Sequence, residues 1–222
     1  MKPNAEYFLL ICHKYGIKRL SRQSSLGCFG GIVQSVYQIH INKTGGTTVA
    51  KALGLEFRHR DINDILSEID EAEFYSAFIF TFVRNPWDRA VSHYHWRVKT
   101  NQTRLGDRDL TFEDWVQASF KDKDPVFFDK PKMFRQQIDW LRTHENEGVH
   151  PGVDFIGRFE TLSSDIEKLN GLLSGPEIRA MPHLKSSRRQ LPYPTYYDEK
   201  SYEIISSVFA TDIKTFGYEF GI

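Results

Sequence analysis

The apolar run Val36-Tyr37-Gln38-Ile39-His40-Ile41 passes straight into Asn42-Lys43-Thr44-Gly45-Gly46-Thr47-Thr48, and this junction constrains the fold more than any other part of the chain. Residues 36–41 read as a strand, which must stop where two glycines follow, because glycine opens backbone conformations that other residues avoid and weakens a ladder. Thr47 to Leu53 then reads as a helix. A strand, a glycine turn and a helix start together form a cradle for an oxyanion: N–H groups can turn inward, hydroxyls add donors, and the helix presents its positive dipole end. The Walker pattern for nucleoside triphosphates has its Lys directly after the last Gly. Here Lys43 precedes both glycines, so that pattern is not met.

A second junction has the same form. Ala77 to Val83 is apolar, aromatic and β-branched over strand length, and Pro86 stops it from continuing as a ladder strand. Pro86 suits the first turn of a helix, Asp88 suits its positive end, and Ala90, Val91, Tyr94 and Val98 recur on one helical face over Trp87–Val98. Arg84 therefore ends a strand, and Ser92 lies about two turns into the following helix. A forked, permanently charged guanidinium and a hydroxyl so placed can hold a second phosphate.

Together these segments resemble the 5'-phosphosulfate-binding and 3'-phosphate-binding motifs of sulfotransferases that use 3'-phosphoadenosine 5'-phosphosulfate (PAPS). Arg84 and Ser92 have the eight-residue separation of that family's Arg and Ser. The Lys43-Thr44-Gly45-Gly46-Thr47-Thr48 core is most similar to the heparan sulfate 6-O-sulfotransferases and their short bacterial relatives. Val153-Asp154-Phe155-Ile156-Gly157-Arg158-Phe159-Glu160, Pro182-His183-Leu184, Tyr196-Tyr197-Asp198, Asp212-Ile213 and Phe216-Gly217-Tyr218 extend the likeness to the C-terminus. Asn42 departs from it, standing where relatives commonly have Pro. Local turn hydrogen bonds from its side chain are the expected substitute.

At 222 residues, 40% of them hydrophobic and 26% charged, the chain is expected to form one well-buried domain. The expected division is an N-terminal extension of unassigned role over 1–35 and a sulfotransferase domain over 36–222. Lys and Arg number 29, as do Asp and Glu, so the net charge is zero, which argues against a general nucleic-acid binder. No apolar run reaches the roughly 18–20 residues that span a bilayer. Animal carbohydrate sulfotransferases of this type carry a Golgi membrane anchor, so the resemblance points to a cytoplasmic, bacterial-type member; a Golgi lumenal place would require an anchor outside this chain. Cys12 and Cys28 are too few and too far apart for a zinc or redox motif and read as free thiols, with pairing left open.

Strands alternating with helices imply a parallel sheet covered on both faces, an α/β/α three-layer sandwich of the P-loop-like sulfotransferase type. Further helices are expected over Asp61–Ile69, Thr111–Phe120, Met133–Arg142 and from a Ser164/Glu167 capping box to Leu173, with Val153–Ile156 as a strand. Ile204, Ile205, Val208, Phe209 and Ile213 give the last helix its buried face. Lys99–Asp109 is polar and suits a surface loop near a substrate entrance. Ligands of such folds bind at the carboxyl ends of strands, where Lys43 and Arg84 both fall.

The resemblance implies that Lys43, Thr44, Gly45, Gly46, Thr47 and Thr48 surround the phosphosulfate, that Arg84 and Ser92 hold the 3'-phosphate, and that PAP (3',5'-bisphosphate adenosine) is the product. It also implies in-line transfer to a hydroxyl without a metal, with Lys43 meeting charge on the leaving oxygen. In the heparan sulfate branch the base is a His between the two anion motifs, which points to His59; a surface His at a helix start is the competing reading, and His183 is the second candidate. Lys185, Ser187 and Arg188 lie in a basic loop that could cover the nucleotide or meet an anionic acceptor. His40 is expected as a buried strand residue beside the loop, His93 and His95 diverge on a helix, and Trp96, Trp115 and Trp140 read as core. The expected acceptor is a carbohydrate or glycoconjugate. An inactive PAPS- or PAP-binding protein and a P-loop kinase or NTPase are the alternatives.

Overall fold

A six-residue strand with every residue buried, Phe78–Val83 (β2), lies at the centre of a three-stranded parallel sheet. It is flanked by Val36–Ile39 (β1) and Phe155–Arg158 (β3), with Val36 opposite Phe78 and Val83 opposite Arg158. The computed structural model describes residues 35–145, 148–173 and 191–221; Cys12, Cys28, His183, Lys185, Ser187 and Arg188 lie outside the described residues. Because the strands are parallel, their carboxyl ends share one edge, where Asn42, Arg84 and Phe159 follow.

Helices Gly46–Ala52 (α1), Ile62–Glu68 (α2), Glu71–Ser76 (α3), Pro86–Lys99 (α4), Phe112–Val116 (α5), Leu162–Leu172 (α6), Glu199–Val208 (α7) and Ala210–Phe216 (α8) connect and cover the strands. Side chains alternate across β2. Phe78, Phe80 and Phe82 pack with Val49 of α1 and Leu162, Ile166 and Leu169 of α6. Ile79 and Val83 face the larger core, which includes Ile62 and Ile65 of α2, Trp87, Ala90 and Val91 of α4, and Ile205 of α7. Two apolar cores on opposite faces of one sheet make the expected three-layer α/β arrangement. Among the described residues, no helix is long and apolar enough to cross a membrane.

Local chemistry explains where the helices begin. Asp61 and Asp64 form a reciprocal capping box at α2, and the Asn85 side chain accepts from the backbone N–H of Trp87 and Asp88, with Pro86 in the first turn of α4. Other boundaries differ from expectation. The Ser164/Glu167 box does not form: α6 starts at Leu162, and the Asp165 carboxylate instead accepts from the Arg158 N–H and the Thr161 hydroxyl. Thr111–Phe120 is helical as expected, but changes from α over Phe112–Val116 to π over Gln117–Lys121. Met133–Arg142 is not one helix but two 3₁₀ turns, Pro131–Phe134 and Ile138–Trp140. These turns are tied from outside: Asp212 accepts from the backbone N–H groups of Gln137 and Ile138. The last helix divides at Phe209 into α7 and α8.

Candidate active site

The loop after β1 is held from below by polar residues within an apolar run. Gln38 and His40 are both buried, and the Gln38 amide donates to the Gly46 carbonyl at 3.1 Å. A Cβ at Gly46 would come within 2.7 Å of Gln38 Nε2 and of His40 Cδ2, so any side chain there would have to displace both. Lys43 and Gly45 have φ of 67° and 82°, in the left-handed region. For Lys43 this is a strained conformation of the kind that collects at functional sites. The Thr44 hydroxyl turns inward to the Ile41 carbonyl at 3.0 Å, shaping the loop, whereas Thr47 is exposed and Thr48 half-buried. No side chain caps the start of α1, which leaves its first N–H groups to other acceptors.

Arg84, at the end of β2, is buried and pinned from several directions. Its Nε donates to Asp88 Oδ2 at 2.7 Å, its Nη2 lies 2.6 Å from the same oxygen, and its Nη1 donates to the Lys43 carbonyl at 3.0 Å. The guanidinium carbon lies 3.9 Å from the ring centre of Phe159, which follows β3. Phe159 would also meet a Cβ at Gly45, at 3.1 Å. Residues from the ends of all three strands thus meet at one place. Gln137 brackets the Arg84 backbone, accepting from its N–H at 2.9 Å and donating to its carbonyl at 2.8 Å.

Asp88, Ser92 and Trp96 follow one another at four-residue intervals on α4, which puts them on one face. Asp88 holds Arg84, and the Lys43 ammonium lies 4.6 Å from the centre of the Trp96 ring. Buried Ser92 lies between these contacts, and its hydroxyl makes no hydrogen bond among the described residues. Trp96 is not core, as the sequence pattern suggests, but 44% exposed, spread beneath a cation. Burial, with Arg84 and then Lys99 nearby, brings the Lys43 ammonium down to about 8.

His59 stands on the other side of His40. Its Nδ1 donates to the His40 carbonyl at 2.9 Å, and the His40 N–H donates to the Arg60 carbonyl at 3.1 Å. His59 is half-buried, not a surface residue, and its ring centre lies 4.6 Å from that of His40. A carbonyl can only accept, so Nδ1 carries the proton and Nε2 keeps its lone pair. Burial is the main cause holding this imidazole below its ordinary pKa, with Lys132 and Arg89 adding to the effect against the hydrogen bond. Phe57, 55% exposed, packs beside it with ring centres 5.4 Å apart.

Asn42 lies in the turn after β1, but its side chain bonds to a distant residue rather than within that turn. Arg89 donates from Nη2 to Asn42 Oδ1 at 2.6 Å and from Nε to the Asn42 carbonyl at 3.2 Å. The rest of that buried guanidinium reaches the carbonyls of Arg135 and Met133. A long-range tie thus replaces the stiffness that a proline would supply. His93 packs on Trp115 and Phe134 and His95 on Tyr196, so the two rings do diverge. Among the described residues, no group of three or more His, Cys, Asp or Glu could hold a metal ion.

Sequence reasoning missed Gln38, Gln137, Asp212, Phe159 and the pairing roles of Asp88 and Arg89. Phe159 and Asp212 stand within motifs of the family likeness without a role being legible there, and Gln38 left a signal as a polar residue in a buried apolar strand two positions from His40. Comparison with known proteins adds a match to the model of the sulfotransferase family over residues 34–219. An uncharacterized protein of Archaeoglobus fulgidus is 27% identical over 114 residues, 51% of this chain and 81% of that protein. No solved structure matches.

Proposed function

The chain belongs to the sulfotransferase family, and we propose that it moves the sulfuryl group of PAPS to a hydroxyl of a carbohydrate or glycoconjugate. The observation that carries this reading is the pairing of His59 with the Lys43 loop through one residue, His40. A neutral imidazole with a fixed lone pair and a half-buried ammonium are groups suited to in-line transfer to a hydroxyl.

The chain's own geometry suits a donor that carries two separate anionic groups. The glycines let backbone approach closely, α1 has an uncapped start, and Lys43 and Arg84 supply charge within one hydrogen-bonded unit. In the proposed roles, Lys43 and residues 44–48 bind the phosphosulfate. Arg84, its plane set by Asp88 and Phe159, binds the 3'-phosphate with Ser92. His59 Nε2 takes the proton of the acceptor hydroxyl as that oxygen bonds to sulfur. The bond from sulfur to the bridging phosphate oxygen breaks, and Lys43 meets the charge left on that oxygen. Phe57 and Trp96, exposed beside His59 and Lys43, offer apolar faces suited to a sugar ring.

Calorimetric titration with PAP, ADP and ATP in the presence of EDTA tests the donor site, with binding of PAP alone expected. Sulfate transfer from labelled PAPS to a panel of oligosaccharides tests the acceptor class. Binding of ATP in preference to PAP would overturn the donor reading, and transfer confined to non-sugar hydroxyls would overturn the acceptor reading.

A further inference from the structure

His40 enters the proposed mechanism only through its backbone, yet its side chain lies against the other half of the site. The ring is buried, its Cδ2 and Nε2 lie beneath Gly46, and its Nε2 is 3.5 Å from Thr47 Oγ1. Nδ1 is buried and has no hydrogen-bond partner among the described residues. These contacts discriminate between tautomers. Were the proton on Nδ1, a buried N–H would be left without an acceptor, which native structures seldom tolerate. With the proton on Nε2, the unpaired group is a lone pair, and Nε2–H points to the Thr47 oxygen. Burial, with His59 as a lesser cause, holds the ring down to about 3, so it stays neutral across the working range.

We propose that His40 is a positioning residue that sets proton directions at both ends of the transfer: its Nε2–H donates to Thr47 Oγ1 while its carbonyl accepts from His59 Nδ1. A hydroxyl that accepts on one side has its own proton free to point elsewhere. Thr47 is exposed on the loop and turns that proton outward, to an oxygen of the bound anion. On the other side, the carbonyl keeps the His59 proton on Nδ1 and its lone pair on Nε2. One residue thus makes Thr47 a donor and His59 an acceptor. This inference rests on the sulfotransferase reading for its consequence in catalysis but not for the tautomers themselves.

The first test is long-range ¹H–¹⁵N correlation on protein labelled in histidine, at pH 7 and without ligand. The expected result is a neutral Nε2–H tautomer for His40 and a neutral Nδ1–H tautomer for His59. An Nδ1–H or doubly protonated His40, or an Nε2–H His59, would overturn the inference whether or not the protein transfers sulfate. The second test compares His40→Gln, whose amide N–H can replace Nε2–H, with His40→Leu. His40→Gln should keep kcat within about threefold, and His40→Leu should lose roughly tenfold, the worth of one hydrogen bond. In a Thr47→Val background the two should become equal. Equal loss in both variants with Thr47 present would make the ring a filler and sink the idea.

Discussion

The two loops that leave the sheet at its carboxyl edge do similar work by opposite means. The loop after β1 takes its turn from backbone, with left-handed Lys43 and Gly45 and a tightly enclosed glycine at 46, while the side chains that tie it, from Gln38, Arg84 and Arg89, leave the Lys43 ammonium itself unlocked. The turn after β2 owes its shape to distant side chains: Gln137 brackets Arg84, Glu160 accepts from the Asn85 N–H, and Asp212 in turn holds Gln137. A loop shaped by backbone keeps its side chains available to change partners, as a group that follows charge through a reaction must. A turn held by side chains stays still, as a recognition anchor must. Lys43 on the exposed Trp96 ring and Arg84 locked to Asp88 express that contrast.

Substitutions can break the comparison, beginning with the largest expected effect. Lys43→Ala should lower the transfer rate by roughly 10²–10³ while PAP affinity changes far less. An unchanged turnover number would remove Lys43 from the chemistry. Arg84→Ala should do the reverse, weakening PAP by roughly 2–4 kcal/mol and erasing its advantage over ADP in calorimetry. Parallel loss of PAP and ADP would show that Arg84 does not read the 3'-phosphate.

Asp212→Ala lies far from any proposed ligand contact but strips two buried N–H groups of their acceptor. Stability should fall by about 2–3 kcal/mol, with a Tm lower by roughly 5–10 °C. If the turn after β2 depends on this scaffold, PAP affinity should fall with it while the β1 loop is unaffected. The smallest effect is a pH dependence. His59 must be neutral to accept a proton, and burial lowers its pKa, so kcat/KM should rise through a limb below the ordinary histidine value. Lys43 must be charged, and burial brings it to about 8, so kcat/KM should fall as pH rises through that value. Lys43→Arg should carry the falling limb upward, and a limb unmoved by that change would belong to another group.

Much of this molecule can be read along the chain. The strands at Val36 and Phe78, the helix after Pro86, the parallel sheet and the placing of Lys43 and Arg84 at strand ends all follow from local pattern. Glycine, proline and an apolar run over strand length act within a few residues. The boundaries that failed depend on contacts across the fold: the 3₁₀ turns near Gln137 hang from Asp212, and α6 begins where Asp165 reaches back to Arg158. Trp96 was legible as part of a helix but not as an exposed platform, because its neighbour, Lys43, comes from another loop. Asn42 could be seen to replace a proline, though nothing nearby announces that Arg89 will hold it.

By itself, then, the sequence determined the fold class and the two strand-to-helix junctions that carry Lys43 and Arg84, since both follow from conformational preferences of residues next to one another. Only the tertiary structure decided which lone pair His59 offers, how far the Lys43 pKa is lowered and what fixes the plane of Arg84. Those are properties of hydrogen bonds and buried charge between segments distant in sequence, and they come into being only when the chain has closed water out from among them.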